Sequence, residues 1–302
     1  RSRMAGFRSA SNAMRRAAAV FAAGGGIVCA GSFTAHCLSA QPEVGGVRSC
    51  PPSWDDNWDL RKDAETTNIV RHIVLVRHGQ YFEKGKKDEE QKLTPLGREQ
   101  AVKTGKRLAE YLPKDHTFKL IRQSNMTRAK ETAEIIATFF PNVPLLPPNA
   151  LLDEGFPAEP IPVPKQMWAA TDTWQHQPRI EAAFRTLFHR MTPSDVRREV
   201  RGEREEEAVS KDKNGTAKHE YELVVCHGNV IRLFICRSLQ IPPELWLRFS
   251  VFNCSISHIV INPGGKCSVY QVGDVGHLDG REEVTYGKGV SFNMTSPPPP
   301  PR

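Results

Sequence analysis

The first 42 residues contain no aspartate or glutamate. Five arginines fall there (Arg1, Arg3, Arg8, Arg15, Arg16), and setting them aside leaves only +2 of the formal net charge of +7 for the rest of the chain. That remainder is close to neutral and has no basic stripe interleaved with aromatics, which argues against nucleic acid as a partner. The seven cysteines are odd in number and scattered, so no disulfide framework is implied. The histidines lack zinc-ligand spacing, and the sequence implies no metal and no cofactor. Long apolar runs are scarce too: the one uncharged stretch able to cross about 30 Å of hydrocarbon is residues 17–40.

That stretch follows a basic, serine-containing leader, residues 1–16. Together they suggest a transmembrane anchor, with a cleaved secretory signal as the alternative. Residues 41–68 form a tether, Pro- and Gly-rich from Gln41 to Ser53, that carries Trp54-Asp55-Asp56-Asn57-Trp58-Asp59. Two tryptophans after such a linker suit a docking peptide that enters a neighbouring subunit; the alternative is packing on their own domain. Residues 69–278 hold the apolar sequence for one core. Within them, residues 191–219 have seven acidic and seven basic residues and no aromatic, which predicts a disordered insertion. Residues 279–302, ending in Pro297 to Pro301, are expected to be a disordered tail.

Two short runs stand out. Ile73-Val74-Leu75-Val76 leads into Arg77-His78-Gly79, and Leu223-Val224-Val225-Cys226 leads into His227-Gly228. Both are too short for helices and rich in β-branched residues, as in buried parallel strands. Ligands of an open α/β sheet sit beyond the carboxyl ends of its strands, so two histidines delivered there form a catalytic constellation. Ser124-Asn125-Met126-Thr127-Arg128-Ala129 is a strand-to-helix junction, where free amides and the helix dipole add to the charge of Arg128 to suit a phosphoryl group. Leu151-Leu152-Asp153-Glu154-Gly155 is the compact acidic site between the two histidine strands that follows a strand-like run, which makes Glu154 the general-acid candidate. Thr94-Pro95 predicts a helix start, Arg179 to His189 and Gly228 to Gln240 two more helices, and Val251 to Val272 the last strands.

Arg77-His78-Gly79, Leu93-Thr94-Pro95-Leu96-Gly97, Ser124 to Ala129, Glu154 and Cys226-His227-Gly228-Asn229-Val230-Ile231-Arg232 resemble, in order and spacing, the motifs of the histidine phosphatase (phosphoglycerate-mutase-like) superfamily. Trp54 to Asp59 resembles the assembly motif of its mitochondrial serine/threonine protein phosphatase branch. The resemblance implies a three-layer α/β/α fold with a mostly parallel sheet and helices on both faces. It also implies a hydrolase, membrane-anchored in the mitochondrial outer membrane, acting on phosphoserine and phosphothreonine proteins and self-associating through Trp54, Asp55, Asn57, Trp58 and Asp59.

In the implied chemistry His78 becomes a phosphohistidine, since a neutral imidazole is a good nucleophile toward phosphorus. Arg77, Arg128 and His227 stabilise the transferring group, and Glu154 protonates the leaving oxygen. The departures are informative. Where small-substrate mutases carry Arg-His-Tyr after the catalytic glutamate, this chain has Gly155-Phe156-Pro157-Ala158, without a charge to grip a sugar acid. Tyr81 stands where many relatives carry serine or threonine, and Asn229 is mutase-like. The rival readings are a small-molecule phosphomonoesterase or mutase, and a membrane scaffold that uses the domain for binding only.

Overall fold

Strand β1 (Ile69–Arg77) is buried along all nine of its residues, which requires cover on both faces of the sheet. It pairs in parallel with β3 (Lys218–Cys226) and antiparallel with β4 (Ile256–Ile261). Outside these lie β2 (Phe118–Gln123), parallel to β3, and β5 (Cys267–Asp274), antiparallel to β4. The order is β2-β3-β1-β4-β5, in which only β4 runs against the rest. The computed structural model describes residues 54–62, 64, 67–163, 170–195 and 217–286.

Alternation along β1 sends successive side chains to opposite layers. Ile73 and Leu75 meet Phe184 of α3 (Ala170–Leu187), Phe188 just after it, and Val230 and Phe234 of α4 (Gly228–Ser238). Val74 and Val76 meet Leu108 of α1 (Pro95–Tyr111) and Ala133 and Ile136 of α2 (Thr127–Ala137). The expected α/β/α layering and strand direction are therefore present. Thr94 caps α1 by accepting from Gly97 N. Helix α3 begins nine residues before the expected Arg179 because Pro178, normally a helix opener, lies inside it.

Two expected boundaries need correction. The stretch 191–219 is ordered at both ends: Met191 is buried, Asp195 accepts from the amide and hydroxyl of Thr192 (3.0 and 2.7 Å) and pairs with Arg61, and Lys218 and His219 begin β3. Counting charges over the whole segment hid those local partners; residues 196–216 lie outside the described residues. The tail is ordered at its start, through α5 (Gly280–Glu283), the buried Val284, and Thr285, which donates to Asn253 Oδ1 at 3.0 Å. The rest of the tail, the leader (1–16), the candidate anchor (17–40) and residues 41–53 of the tether lie outside the described residues. Among the described residues no helix is long and apolar enough to cross a membrane.

The tryptophan motif, expected to enter a neighbouring subunit or to pack on its own domain, packs on its own domain within this single chain. Gln240 bridges the amide and carbonyl of Asp55 (2.8 and 2.9 Å), and Asp55 Oδ1 accepts from Asn57 N at 2.8 Å. Trp58 donates from Nε1 to Gly265 O at 2.7 Å and tilts against Phe184 at 5.8 Å between centroids. Asp59 has a fully buried side chain and accepts from the Arg190 amide (2.8 Å) and Nε (2.9 Å), while Arg190 also donates to Asp56 O at 2.9 Å. Burial pushes the Asp59 carboxyl up, and the bonds and charge of Arg190 outweigh it and hold it below the usual range.

On the α1 face, His72 of β1 bridges His258 of β4 (Nδ1 to Nε2, 3.0 Å) and His219 of β3 (Nε2 to Nδ1, 2.8 Å). The run ends at the Tyr111 hydroxyl, 2.6 Å from His258 Nδ1, and Tyr221 stacks on His72 at 4.1 Å. Each of these contacts holds a single proton, so the neutral run has no place for another. Burial, with neighbouring histidine charges, lowers His72 to about 3, and burial lowers His258 to about 4. Below about 6.5 the unfolded chain binds protons that the folded chain does not, so stability falls as pH falls toward 4, by up to about 1.4 kcal/mol per pH unit for each histidine. Urea midpoints at pH 7.5, 6.0 and 5.0 should decline steeply, and His72→Asn/His258→Asn should flatten the decline. An equal decline in the double variant would place the acid sensitivity elsewhere.

Candidate active site

Arg77 and Cys226 are partners in the β1–β3 register, so His78 and His227, the next residue of each strand, leave the sheet at the same edge. Their ring centroids are 5.0 Å apart and both are almost fully buried. His78 N donates to Cys226 O at 2.9 Å, and its carbonyl accepts from Asn253 Nδ2 at 3.0 Å. His78 Nδ1 donates to Gly79 O at 2.8 Å, which leaves the lone pair on Nε2, where Arg128 Nε donates at 3.3 Å. Gly79 has to be glycine: a Cβ there would lie 2.5 Å from Gly97 O. Burial, then the charges of Arg128 and Arg77, hold His78 well below its ordinary value; burial, then Arg128, His78 and Arg77, do the same for His227. Both imidazoles are neutral at pH 7.

The junction at the start of α2 supplies two more contacts. The hydroxyl proton of Ser124 goes to Asp153 Oδ1 (2.7 Å), so its oxygen accepts from His227 Nε2 (2.7 Å), and His227 Nδ1 is buried with no hydrogen-bond partner among the described residues. Arg128 is buried, bonded to Gln91 Oε1 at 2.9 Å, and lies 4.7 Å above the Tyr81 ring. Tyr81 also meets His78 edge-on at 5.2 Å, so this departure from the usual small hydroxyl provides an aromatic platform under the arginine. Arg77 is anchored to Val251 O at 2.7 Å, its Nε has no partner among the described residues, and its guanidinium lies 5.5 Å from the Tyr286 ring.

Glu154 is half-buried in the loop after a short 3-10 turn (Ala150–Leu152), with Oε1 accepting from Gly155 N at 3.1 Å. Burial lowers Arg77 from its ordinary value, and the Glu154 carboxylate opposes that shift, which places it within electrostatic reach of the arginine. Arg77, His78, Arg128 and His227 thus meet in one buried cluster, with Glu154 within electrostatic reach of it. Trp54, Asp55, Asn57, Trp58 and Asp59 are not part of it. Reading the sequence misses Asn253, Gln91, Arg232 and Tyr286. Arg232 is buried, donates to Asn229 Oδ1 and Phe249 O, and bonds the Tyr286 hydroxyl. Arg232 had a signal, since it closes the second histidine motif, but Tyr286 had none.

Such a site can receive a compact, doubly charged tetrahedral anion: fixed cations surround a neutral nitrogen whose lone pair is already oriented. Residues 73–273 match the histidine phosphatase superfamily (branch 1). The chain is similar to the human serine/threonine-protein phosphatase PGAM5, mitochondrial, with 39% identity over 260 residues, covering 78% of this chain and 81% of the relative. The Xenopus laevis protein of that name is 38% identical over 280 residues, covering 84% of this chain and 90% of its own length. The Caenorhabditis briggsae one is 42% identical over 253 residues, covering 74% and 78%.

Proposed function

The chain belongs to the histidine phosphatase superfamily, branch 1, and from that membership we propose that it is a mitochondrial protein serine/threonine phosphatase that works through a phosphohistidine on His78. The observation that carries the reading is the buried, neutral His78, its Nε2 lone pair fixed by the Gly79 bond and flanked by Arg77 and Arg128.

His78 Nε2 attacks phosphorus, the bond from phosphorus to the seryl or threonyl oxygen breaks, and Glu154 gives that oxygen its proton. Water then gives a proton to Glu154 and attacks the phosphohistidine; the N–P bond breaks and inorganic phosphate leaves. Arg77 and Arg128 hold the non-bridging oxygens throughout. His227 is neutral in the free site, and an arriving dianion favours a proton on its Nδ1, which turns it into a further donor. Gly155-Phe156-Pro157-Ala158 offers no cation to a sugar acid. The mutase-like Asn229 is engaged otherwise, donating to Gly155 O at 3.1 Å.

Residues 17–40 would anchor the enzyme in the outer mitochondrial membrane. Self-association would use the surface formed by the docked tryptophan motif, where Asp55 and Asp56 are exposed and Trp54 is half-buried.

Replacing the acid tests the whole scheme. Glu154→Gln is expected to slow hydrolysis of a phosphoserine peptide by about 10²–10⁴-fold, and that of p-nitrophenyl phosphate far less, because its leaving group needs little protonation. Equal losses on both substrates would remove Glu154 from the chemistry.

A further inference from the structure

We infer that Arg179, on α3, is the positioning residue for Glu154; the inference rests on the function proposed above. Beyond the short 3-10 turn at Ala150–Leu152, the loop that carries Glu154 has no strand or helix to satisfy its peptide groups. Arg179 Nη1 donates to Ala150 O (3.2 Å), Leu151 O (3.0 Å) and Asp153 O (2.7 Å), and Nη2 donates to Glu154 O (2.9 Å). One guanidinium therefore serves four carbonyls across five consecutive residues, a task that needs a rigid fork of donors.

The neighbouring groups finish the anchoring. His176, one turn earlier on α3, accepts from Phe156 N at 3.3 Å, and Asn229 of α4 takes Gly155 O while Arg232 holds Asn229 Oδ1 at 3.0 Å. The loop approaches α3 so closely that a Cβ on Gly155 would lie 2.7 Å from His176 Cβ and 2.8 Å from Arg179 Nη2. Arg179 thus spends its hydrogen bonds on the backbone on either side of the acid and leaves the carboxylate itself with one bond among the described residues, to Gly155 N. A general acid needs this combination: a fixed origin and a side chain still able to exchange its proton. The carboxylates of Asp153 and Glu154 favour the charged form of Arg179 against its burial, and its charge in turn disfavours a proton on His227.

The test compares the full chain with Arg179→Gln, Arg179→Lys and Glu154→Gln on a phosphoserine peptide and on p-nitrophenyl phosphate. Arg179→Gln is expected to lower kcat on the peptide about 30-fold and on p-nitrophenyl phosphate less than about threefold, since only the alkoxide needs the acid. KM should hold for both substrates, and adding Arg179→Gln to Glu154→Gln should cost the peptide nothing further. Arg179→Lys should fail in the same direction, because an ammonium cannot span the four carbonyls. Equal losses on both substrates, or unchanged peptide turnover, overturn the positioning role. If Glu154→Gln separates the substrates and Arg179→Gln does not, only this inference falls; if Glu154→Gln does not separate them, the acid assignment falls and this inference with it. Should Arg179→Gln lose its circular dichroism, Arg179→Lys decides between these outcomes.

Discussion

His78→Ala is expected to lower turnover of a phosphoseryl peptide by about 10⁴-fold or more and to abolish the acid-labile phosphate trapped on the protein during turnover. No other group in the cluster can replace it. With its Nε2 proton on Ser124 and a proton taken up on Nδ1 as the phosphate arrives, His227 would keep no free lone pair, and the arginines carry none. The residual rate would come from the cations that still bind and polarise the ester. The fold should survive, because the backbone of His78 supplies the links to Cys226 and Asn253, and its ring supplies only those to Gly79 and Arg128. Near-normal turnover in a folded His78→Ala protein would sink the nucleophile assignment and the proposed mechanism with it.

The largest expected effect on stability lies far from the cluster, at Asp59. Its side chain is fully buried against a nearly buried Arg190, so Asp59→Ala strands a guanidinium without water or counter-charge. Breaking such a pair costs about 3–5 kcal/mol, which for a domain of this size lowers Tm by about 6–20 °C. The penalty belongs to the charge left behind and not to the missing carboxylate. Asp59→Ala/Arg190→Met should therefore recover at least half of the loss. A double variant as unstable as the single would show that the carboxylate's own bonds to the Arg61 and Arg190 amides matter more. Light scattering on the same proteins bears on the proposed self-association. A lower mass in Asp59→Ala, at a temperature where it remains folded, is expected if the docked motif forms the interface.

The parts of this molecule legible in its sequence are those whose signal is local. The β1 and β3 runs declare themselves because Ile73 to Val76 and Leu223 to Cys226 are apolar on both faces where the sheet is covered on both sides, and the histidines declare themselves because they close such runs. Thr94-Pro95 is legible for the same reason: cap and first turn are adjacent. What could not be read depends on partners far along the chain. Nothing near Trp58 reveals that Gly265 O waits for its indole N–H, or that Arg190 will neutralise Asp59, so a motif suited to a neighbour and a motif suited to its own domain look alike. The direction of β4 was equally hidden, since an apolar strand carries no mark of which way it runs. Tyr286 sat among residues read as tail, and only its contacts with Arg77 and Arg232 give it meaning.

The central place of β1 has a consequence during synthesis. Arg71 of β1 bonds Glu222 of β3, 151 residues later, and β4 emerges later still. At about 5–20 residues per second, the ribosome leaves this largely apolar strand without either neighbour for roughly 7–30 s. Unpaired edges of that kind are the ones nascent chains lose to aggregation, so β1 is the segment where a chaperone that holds extended peptides would act. Cellular yield then depends on translation speed through the 140 or so codons between β1 and β3, a region that contributes Arg128 and Glu154 to the cluster but no strand that lies beside β1 in the sheet.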